Sequence, residues 1–414
     1  MVPNAALWTT LIIGAVAFGA TVVAILVSHR SLEPIFAVAA LLSFGSAAWA
    51  FGEISIAYDR FAVLLWALAF GVAAFSGGYA LASTLLASIA SRHRRLAPPA
   101  LLPHDRGAAA LIVLGDIDPH TYDERSTAAD LERLSDEGLL NVSIAILPFL
   151  FFAQKARYRA VGGTSPATRQ LEMVSDQLST TLHGSQFDRV EPAWLGGERD
   201  LAARVLNLVE QGYRRIAVTQ VMISESLELD EAKRRVDALR LEERGISIRY
   251  ADALWSAERV AALVAMRVMA VVSDPSDAGV VVVGLGQPVE RAQSCRDFDE
   301  HEASFMNRVR MLLVERGIPE TNVRLAWADW HGPDVTSTVR HIAALGCNRL
   351  VVEPACFPLD TVATLLDLQL AVRQARVDEG ISIVTPSAWH DDPLLIEELR
   401  ARAVALLDGP AAEK

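Results

Sequence analysis

The chain has 414 residues, room for more than one domain, and 52% of them are apolar, above the share usual in a soluble globular protein. Its formal net charge is −12, yet residues 1–104 carry Arg30, Arg60, Arg92, Arg94 and Arg95 against Glu33, Glu53 and Asp59, a balance of +2, so residues 105–414 hold −14. That acidity argues against a nucleic-acid partner, and three cysteines without a close pair (Cys295, Cys347 and Cys356) argue against a disulfide framework, a zinc ribbon or an iron–sulfur cluster.

From Ala5 to Ser28 run 24 residues without a charge, which at about 1.5 Å per residue exceed the roughly 30 Å of a bilayer's hydrocarbon core. A second apolar run covers Pro34 to Ala57, broken only by Glu53, which lies close enough to the run's end to reach the interface. A third, Phe61 to Ala90, is uncharged throughout. Three long segments after an uncharged start exclude a cleaved signal peptide and predict three membrane-spanning helices joined by hairpins. Arg30 in the first loop and the cluster Arg92, Arg94 and Arg95 after the third segment place those ends in the cytoplasm, with the N-terminus outside, in a bacterial inner membrane. Gly71, Ala74 and Gly78 share a helix face on which another helix can approach closely, either within the bundle or from a second membrane subunit.

Leu96-Ala97-Pro98-Pro99-Ala100 opens a linker over 96–106, after which apolar runs of strand length alternate with helix-period segments. Ala110–Gly115, Arg215–Val221, Ser247–Ala251, Gly279–Gly284, Val323–Trp327, Arg349–Glu353 and Ile381–Thr385 read as buried strands. Asp200–Gln211, Glu231–Glu243, Ala257–Val271, Glu302–Arg316 and Leu359–Arg376 read as helices. The fold class is α/β: three transmembrane helices (residues 1–95), then two Rossmann-like parallel-sheet lobes over 107–274 and 275–414. In such sheets ligands bind beyond the carboxyl ends of the strands.

Tyr158-Arg159-Ala160-Val161-Gly162-Gly163-Thr164-Ser165-Pro166 resembles the ferrochelatase stretch in which a tyrosine precedes a Gly-Gly-x-Ser-Pro turn and a helix. Val352-x-Pro354-x-x-Phe357-x-x-Asp360-x-x-x-Thr364-Leu365, Asp391-Asp392-Pro393-Leu394-Leu395-Ile396-Glu397 and Trp330-His331-Gly332-Pro333-Asp334 are similar to further segments of that family, in the same order. The resemblance covers roughly 107–408 and implies a chelatase-like fold that takes a porphyrin between its lobes. It further implies substrate-binding roles for Gly162, Gly163, Ser165, Pro166, Trp330 and Asp360.

Family members use a histidine in Ser-x-His-Gly-x-Pro and a glutamate in Ser-Asp-His-x-Glu-Thr-Leu. The matching runs here are Val283-Gly284-Leu285-Gly286-Gln287-Pro288 and Leu359-Asp360-Thr361-Val362-Ala363-Thr364-Leu365, which put Leu285 and Ala363 at those two positions. Neither side chain accepts a proton or binds iron. Asp116, Asp118 and His120, at the end of the first strand, form a candidate divalent-metal cluster, with a turn rich in helix-capping acids as the simpler alternative. The acidic run Asp297 to Glu302 reads as a solvated helix start. Trp389-His390 and Trp327 to His331 set aromatic rings beside imidazoles, a pattern suited to stacking and axial ligation of a haem or porphyrin, with surface loops as an equally simple account. Two readings follow. One is a membrane-anchored ferrochelatase-like protein without ordinary iron insertion, binding a tetrapyrrole or serving as a subunit of a membrane assembly through its helices. The other is a divergent ferrochelatase, a porphyrin metal chelatase of haem biosynthesis working through relocated residues.

Overall fold

A computed structural model of the chain describes residues 5–58, 60–90, 105–116, 118–196, 200–291 and 294–408. The basic cluster at 91–95 and most of the proline linker lie outside the described residues. The chain divides into two compact units, one of Met1–Arg94 with Thr121–Gly163, the other of Arg95–His120 with Thr164–Lys414. The first therefore takes in part of what the sequence assigns to the first lobe.

In the first unit, α1 (Ala5–Val27), α2 (Glu33–Ala57) and α3 (Phe61–Ala90) match the three apolar runs, and all three are long and apolar enough to cross a membrane. Small residues set their approach: a Cβ on Gly78 would collide with the Val16 carbonyl, and one on Gly19 with the Phe75 carbonyl. Gly71 likewise looks toward Leu11, so two members of the small-residue stripe are used within the bundle. Two further helices belong to this unit, α4 (Glu124–Asp136), whose first turn is capped by the Asp123 carboxylate accepting from Ser126 N at 2.7 Å, and α5 (Leu147–Ala160).

The second unit holds two four-stranded parallel sheets. Their orders are β2-β1-β3-β4, with β1 Ala109–Gly115, β2 Phe187–Trp194, β3 Arg215–Gln220 and β4 Ser247–Tyr250, and β6-β5-β7-β8, with β5 Ala278–Gly284, β6 Val323–Trp327, β7 Arg349–Glu353 and β8 Ser382–Val384. The central strands β1 and β5 are buried at every position, which is why they read as unbroken apolar runs. Along β5, Val280 and Val282 face a core that also contains Val113 and Leu171 and so joins both sheets, while Val281 and Val283 face the opposite layer. Strand β2 is absent from the sequence reading: Asp188, Arg189, Glu191 and Pro192 break its apolar pattern, as suits an edge strand.

Helices α6 (Ala167–Thr181), α7 (Leu201–Glu210), α9 (Glu258–Val271) and α11 (Val335–Ala344) also belong to this unit, and helix boundaries shift where caps decide them. The helix expected over Glu231–Glu243 is α8, Leu227–Asp237, started by the Ser226 hydroxyl accepting from Leu229 N. The helix expected from Glu302 is α10, Asp297–Glu315, one and a half turns earlier, and the segment expected as one helix over Leu359–Arg376 is a π-helical turn, Ala363–Asp367, running into α12, Leu368–Gln374.

Candidate functional site

Leu285 and Gly286 follow β5 directly, at its carboxyl end. Their backbone N–H groups both donate to Glu302 Oε2, each at 2.9 Å. Gly286 has φ +81°, and a Cβ there would meet the Asp329 carbonyl at 2.5 Å, so this turn accepts only glycine. The reading of a solvated helix start holds for Asp297 and Glu300 in the first turn of α10, where acids suit the N-terminal dipole, is met in part by half-buried Asp299, and fails at Glu302, which is 2% exposed and faces inward. Burial pushes its carboxyl up to about 8, against the opposing pull of the Gly286 and Leu285 N–H groups. The Cys356 thiol lies against it, raised in turn by burial and by Glu302.

A second acid lies at the end of the neighbouring strand. Glu353 closes β7, has no exposed surface, and neither of its oxygens has a hydrogen-bond partner among the described residues. Burial lifts it to about 8, with the Arg267 charge pulling the other way. The indole N–H of Trp389, also buried, has no partner among the described residues either. Glu353 falls at an unspecified position of the Val352-x-Pro354 segment, and a lone acid closing a strand-length apolar run (Leu350, Val351, Val352, then Glu353) is the signal that marks it.

The loop after β7 carries the remaining candidates. Asp360 is buried and fully engaged: Oδ2 accepts from Gln170 Nε2 at 2.8 Å, Oδ1 from Ala388 N at 2.8 Å, and its own N–H donates to Gln170 Oε1 at 2.7 Å. Gln170 lies on α6 (Ala167–Thr181), so Asp360 braces that helix to the second sheet's loops. Ala363 opens the π-helical turn, a local insertion that is frequent at functional positions. Asp118 Oδ2 accepts from Val362 N, just ahead of that turn, and from the Ser165 hydroxyl at 3.4 Å.

Ser165 is buried and its N–H donates to the His120 carbonyl at 2.8 Å, while Pro166 stands at the start of α6. Asp118 thus works as a tie between loops. Asp116, Asp118 and His120 do not gather as a metal site, since no group of three or more His, Cys, Asp or Glu side chains among the described residues is placed to hold an ion. Gly162 and Gly163, both at positive φ, form the turn that ends α5, where Gly163 N donates to the Tyr158 carbonyl at 2.7 Å.

Aromatic groups line the end of β6. Trp330 is exposed and holds φ +63°, while His331 packs edge-on against Trp327 with ring centroids 5.2 Å apart and sets Nε2 3.0 Å from Asp299 Oδ1. His301, one turn along α10, stacks on Trp255 at 4.3 Å.

Two parallel sheets whose strand ends carry such loops place the chain among the two-sheet α/β proteins, which bind ligands beyond the carboxyl ends of their strands. The family model for ferrochelatase matches residues 134–405, and the chain belongs to that family. It is 23% identical over 276 residues to a ferrochelatase of Deinococcus radiodurans, covering 62% of this chain and 84% of that one, and 22% identical over 263 residues to a coproporphyrin III ferrochelatase of Geobacillus thermodenitrificans, covering 59% and 81%. A shorter match, 33% over 79 residues, to a ferrochelatase of Acidobacterium capsulatum spans 19% of this chain and 24% of that protein. Among solved structures, the chelatase SirB of Bacillus subtilis with Fe3+ covers 73% of this chain at TM-score 0.46 and 14% identity. A multi-domain protein of Deinococcus radiodurans with structural similarity to chelatases covers 72% at TM-score 0.44 and 17% identity.

Proposed function

We propose that this chain is a membrane-anchored member of the ferrochelatase family that binds a tetrapyrrole without inserting iron by the family's usual route. The observation that carries the reading is the pair Leu285 and Ala363 at the positions of the family's histidine and glutamate. Insertion requires groups that take two protons from the pyrrole nitrogens and guide the cation, and neither of these side chains has a donor or acceptor atom. The retained Gly162 to Pro166 turn and the aromatic surface at Trp330 support a flat apolar ligand. Arg30 and the basic run after α3 support an orientation with the family domain in the cytoplasm.

Anaerobic titration of the detergent-solubilised protein with protoporphyrin and ferrous iron, followed by absorbance, tests this reading. Binding without insertion is expected. Insertion at a rate comparable with an ordinary ferrochelatase overturns it and favours a divergent chelatase. Failure of both binding and insertion favours a structural subunit of a membrane assembly.

A further inference from the structure

Two neighbouring strands of the second sheet end in loops that are joined to each other. β5 and β6 run side by side in parallel, with Gly284 opposite Trp327. Beyond them the Ala328 N–H donates to the Gly284 carbonyl at 2.8 Å and the Asp329 N–H to the Leu285 carbonyl at 3.1 Å. The chain then turns through Trp330, at φ +63°, and brings His331 back over the first loop, where a Cβ on Gly286 would lie 3.2 Å from His331 Cδ2. An imidazole therefore stands against the residue that follows Leu285, in a segment, Trp330-His331-Gly332-Pro333, whose family counterpart is Trp-Leu-x-Pro.

The ring is held from behind. Nε2 is buried 3.0 Å from Asp299 Oδ1, which is buried too; the two meet at ion-pair distance without the angle of a full hydrogen bond, and neither atom has a hydrogen bond from another described residue. Asp299 Oδ2 accepts from the amide Nε2 of buried Gln287 at 3.2 Å, and the same amide donates to the Cys295 carbonyl at 2.7 Å. Gln287 thus fixes Asp299, and Asp299 fixes His331. A carboxylate against one ring nitrogen draws the ring's hydrogen to that side and leaves a lone pair on the other, as in metal-binding histidines. No described residue bonds to Nδ1 and a quarter of the side chain is exposed, so Nδ1 is the nitrogen that this ring offers a ligand. Trp330 beside it is 57% exposed and gives a flat apolar surface. His390 is also oriented by a carboxylate, Asp391 at 2.5 Å, but its neighbour Trp389 is buried and presents no face.

From this we infer that the tetrapyrrole this chain holds already carries its metal, and that His331 Nδ1 is the axial ligand to that metal, with Asp299 as its positioning residue. The inference rests on the reading of the chain as a tetrapyrrole binder and adds which form it selects. A metal centre takes an imidazole lone pair as a fifth or sixth ligand, a bond that a metal-free macrocycle has no means to form. Leu285 and Ala363 fit the same selection: a site that receives the metallated form needs no group at those positions to take the pyrrole protons.

The full chain in detergent, titrated with ferric haem and separately with metal-free protoporphyrin, tests this by absorbance and electron paramagnetic resonance. The native protein is expected to bind haem with the Soret shift and spin-state signature of a nitrogen ligand. His331→Leu is expected to lose that signature while keeping its protoporphyrin affinity, which also shows that the variant is folded. Asp299→Asn should weaken haem binding about 10-fold and leave protoporphyrin binding unchanged. His331→Gly should regain the signature when imidazole is added. If His331→Leu loses protoporphyrin as well, that rescue decides, and its failure overturns the inference. An unchanged haem spectrum in His331→Leu, loss of the signature in His390→Ala alone, or native binding of protoporphyrin but not haem each overturns it and leaves the tetrapyrrole reading in place. Failure of the native protein to bind either compound overturns both.

Discussion

Glu302 shows how a single buried group links protonation to the geometry behind Leu285. Its carboxyl keeps its proton until about pH 8 in the folded protein, against an ordinary value of 4.5. The stability this contributes is whole below the lower value and is lost as pH rises through the higher one, with a slope approaching about 1.4 kcal/mol per pH unit. Glu353 adds a second group of the same sign over the same window. Resistance of the solubilised protein to thermal unfolding should therefore fall between about pH 5 and pH 8, and Glu302→Gln should flatten that fall. The glutamine keeps an oxygen for the Leu285 and Gly286 N–H groups while removing the titration. Identical pH profiles for the two proteins would show that Glu302 does not titrate in this range. Asp360 acts as a brace, its carboxylate accepting from a side chain and a backbone N–H on two different segments. Asp360→Ala removes the two hydrogen bonds that its carboxylate accepts, from Gln170 Nε2 and Ala388 N, and should cost about 2–4 kcal/mol in a denaturant titration. A loss below roughly half of that range would mean that water replaces the brace.

At the level of elements, the end of α1 is completed by residues more than ninety positions away. Ser28 N takes the Ala24 carbonyl, Lys155 the Ile25 and Ser28 carbonyls, and the Tyr122 hydroxyl the Val27 carbonyl at 2.7 Å. Lys155 also pairs with Glu33 Oε1 at 2.9 Å, and Arg159 joins the same oxygen. With its amine 2% exposed, Lys155 meets both the carbonyl end of a helix dipole and a carboxylate. Lys155→Ala should destabilise the solubilised protein by about 2–4 kcal/mol, and a double-mutant cycle with Glu33→Gln should show a coupling of at least about 1 kcal/mol. Additive losses would mean that the lysine acts only through the carbonyls. None of this was legible in the sequence, where Lys155 is an ordinary cation in a helix and its partners lie 122 to 130 positions upstream. The spans and the central strands were legible because burial on every side leaves an apolar run that needs no partner to be recognised. Strand β2 and the inward turn of Glu302 were hidden for the converse reason: their charges find places only through tertiary neighbours, Glu191 accepting from Arg189 and Arg204, and Glu302 from the β5 loop.

For the whole molecule, the division of the chain differs from the one that its linker suggests. Composition places a membrane anchor before the prolines and a family domain after them, yet Thr121–Gly163 packs with the spans. This segment carries the groups that close α1 and ends on the Gly162-Gly163 turn, which the family resemblance assigns to substrate binding. A version beginning at residue 105 would keep both parallel sheets, whose strands and shared core lie wholly in the other unit. It would strip Lys155, Tyr122 and the apolar half of α5 of their partners, leaving a buried amine unpaired and Phe149 and Phe152 in water. Limited proteolysis of that version should cut within 121–163 while the remainder survives as a core, whereas the full chain in detergent should resist at the same sites. Equal resistance in both would show that the segment folds without the spans. Cleavage confined to the truncated protein would instead mean that the membrane helices are part of the architecture holding the Gly-Gly turn, so that soluble fragments of this chain understate any affinity for a tetrapyrrole.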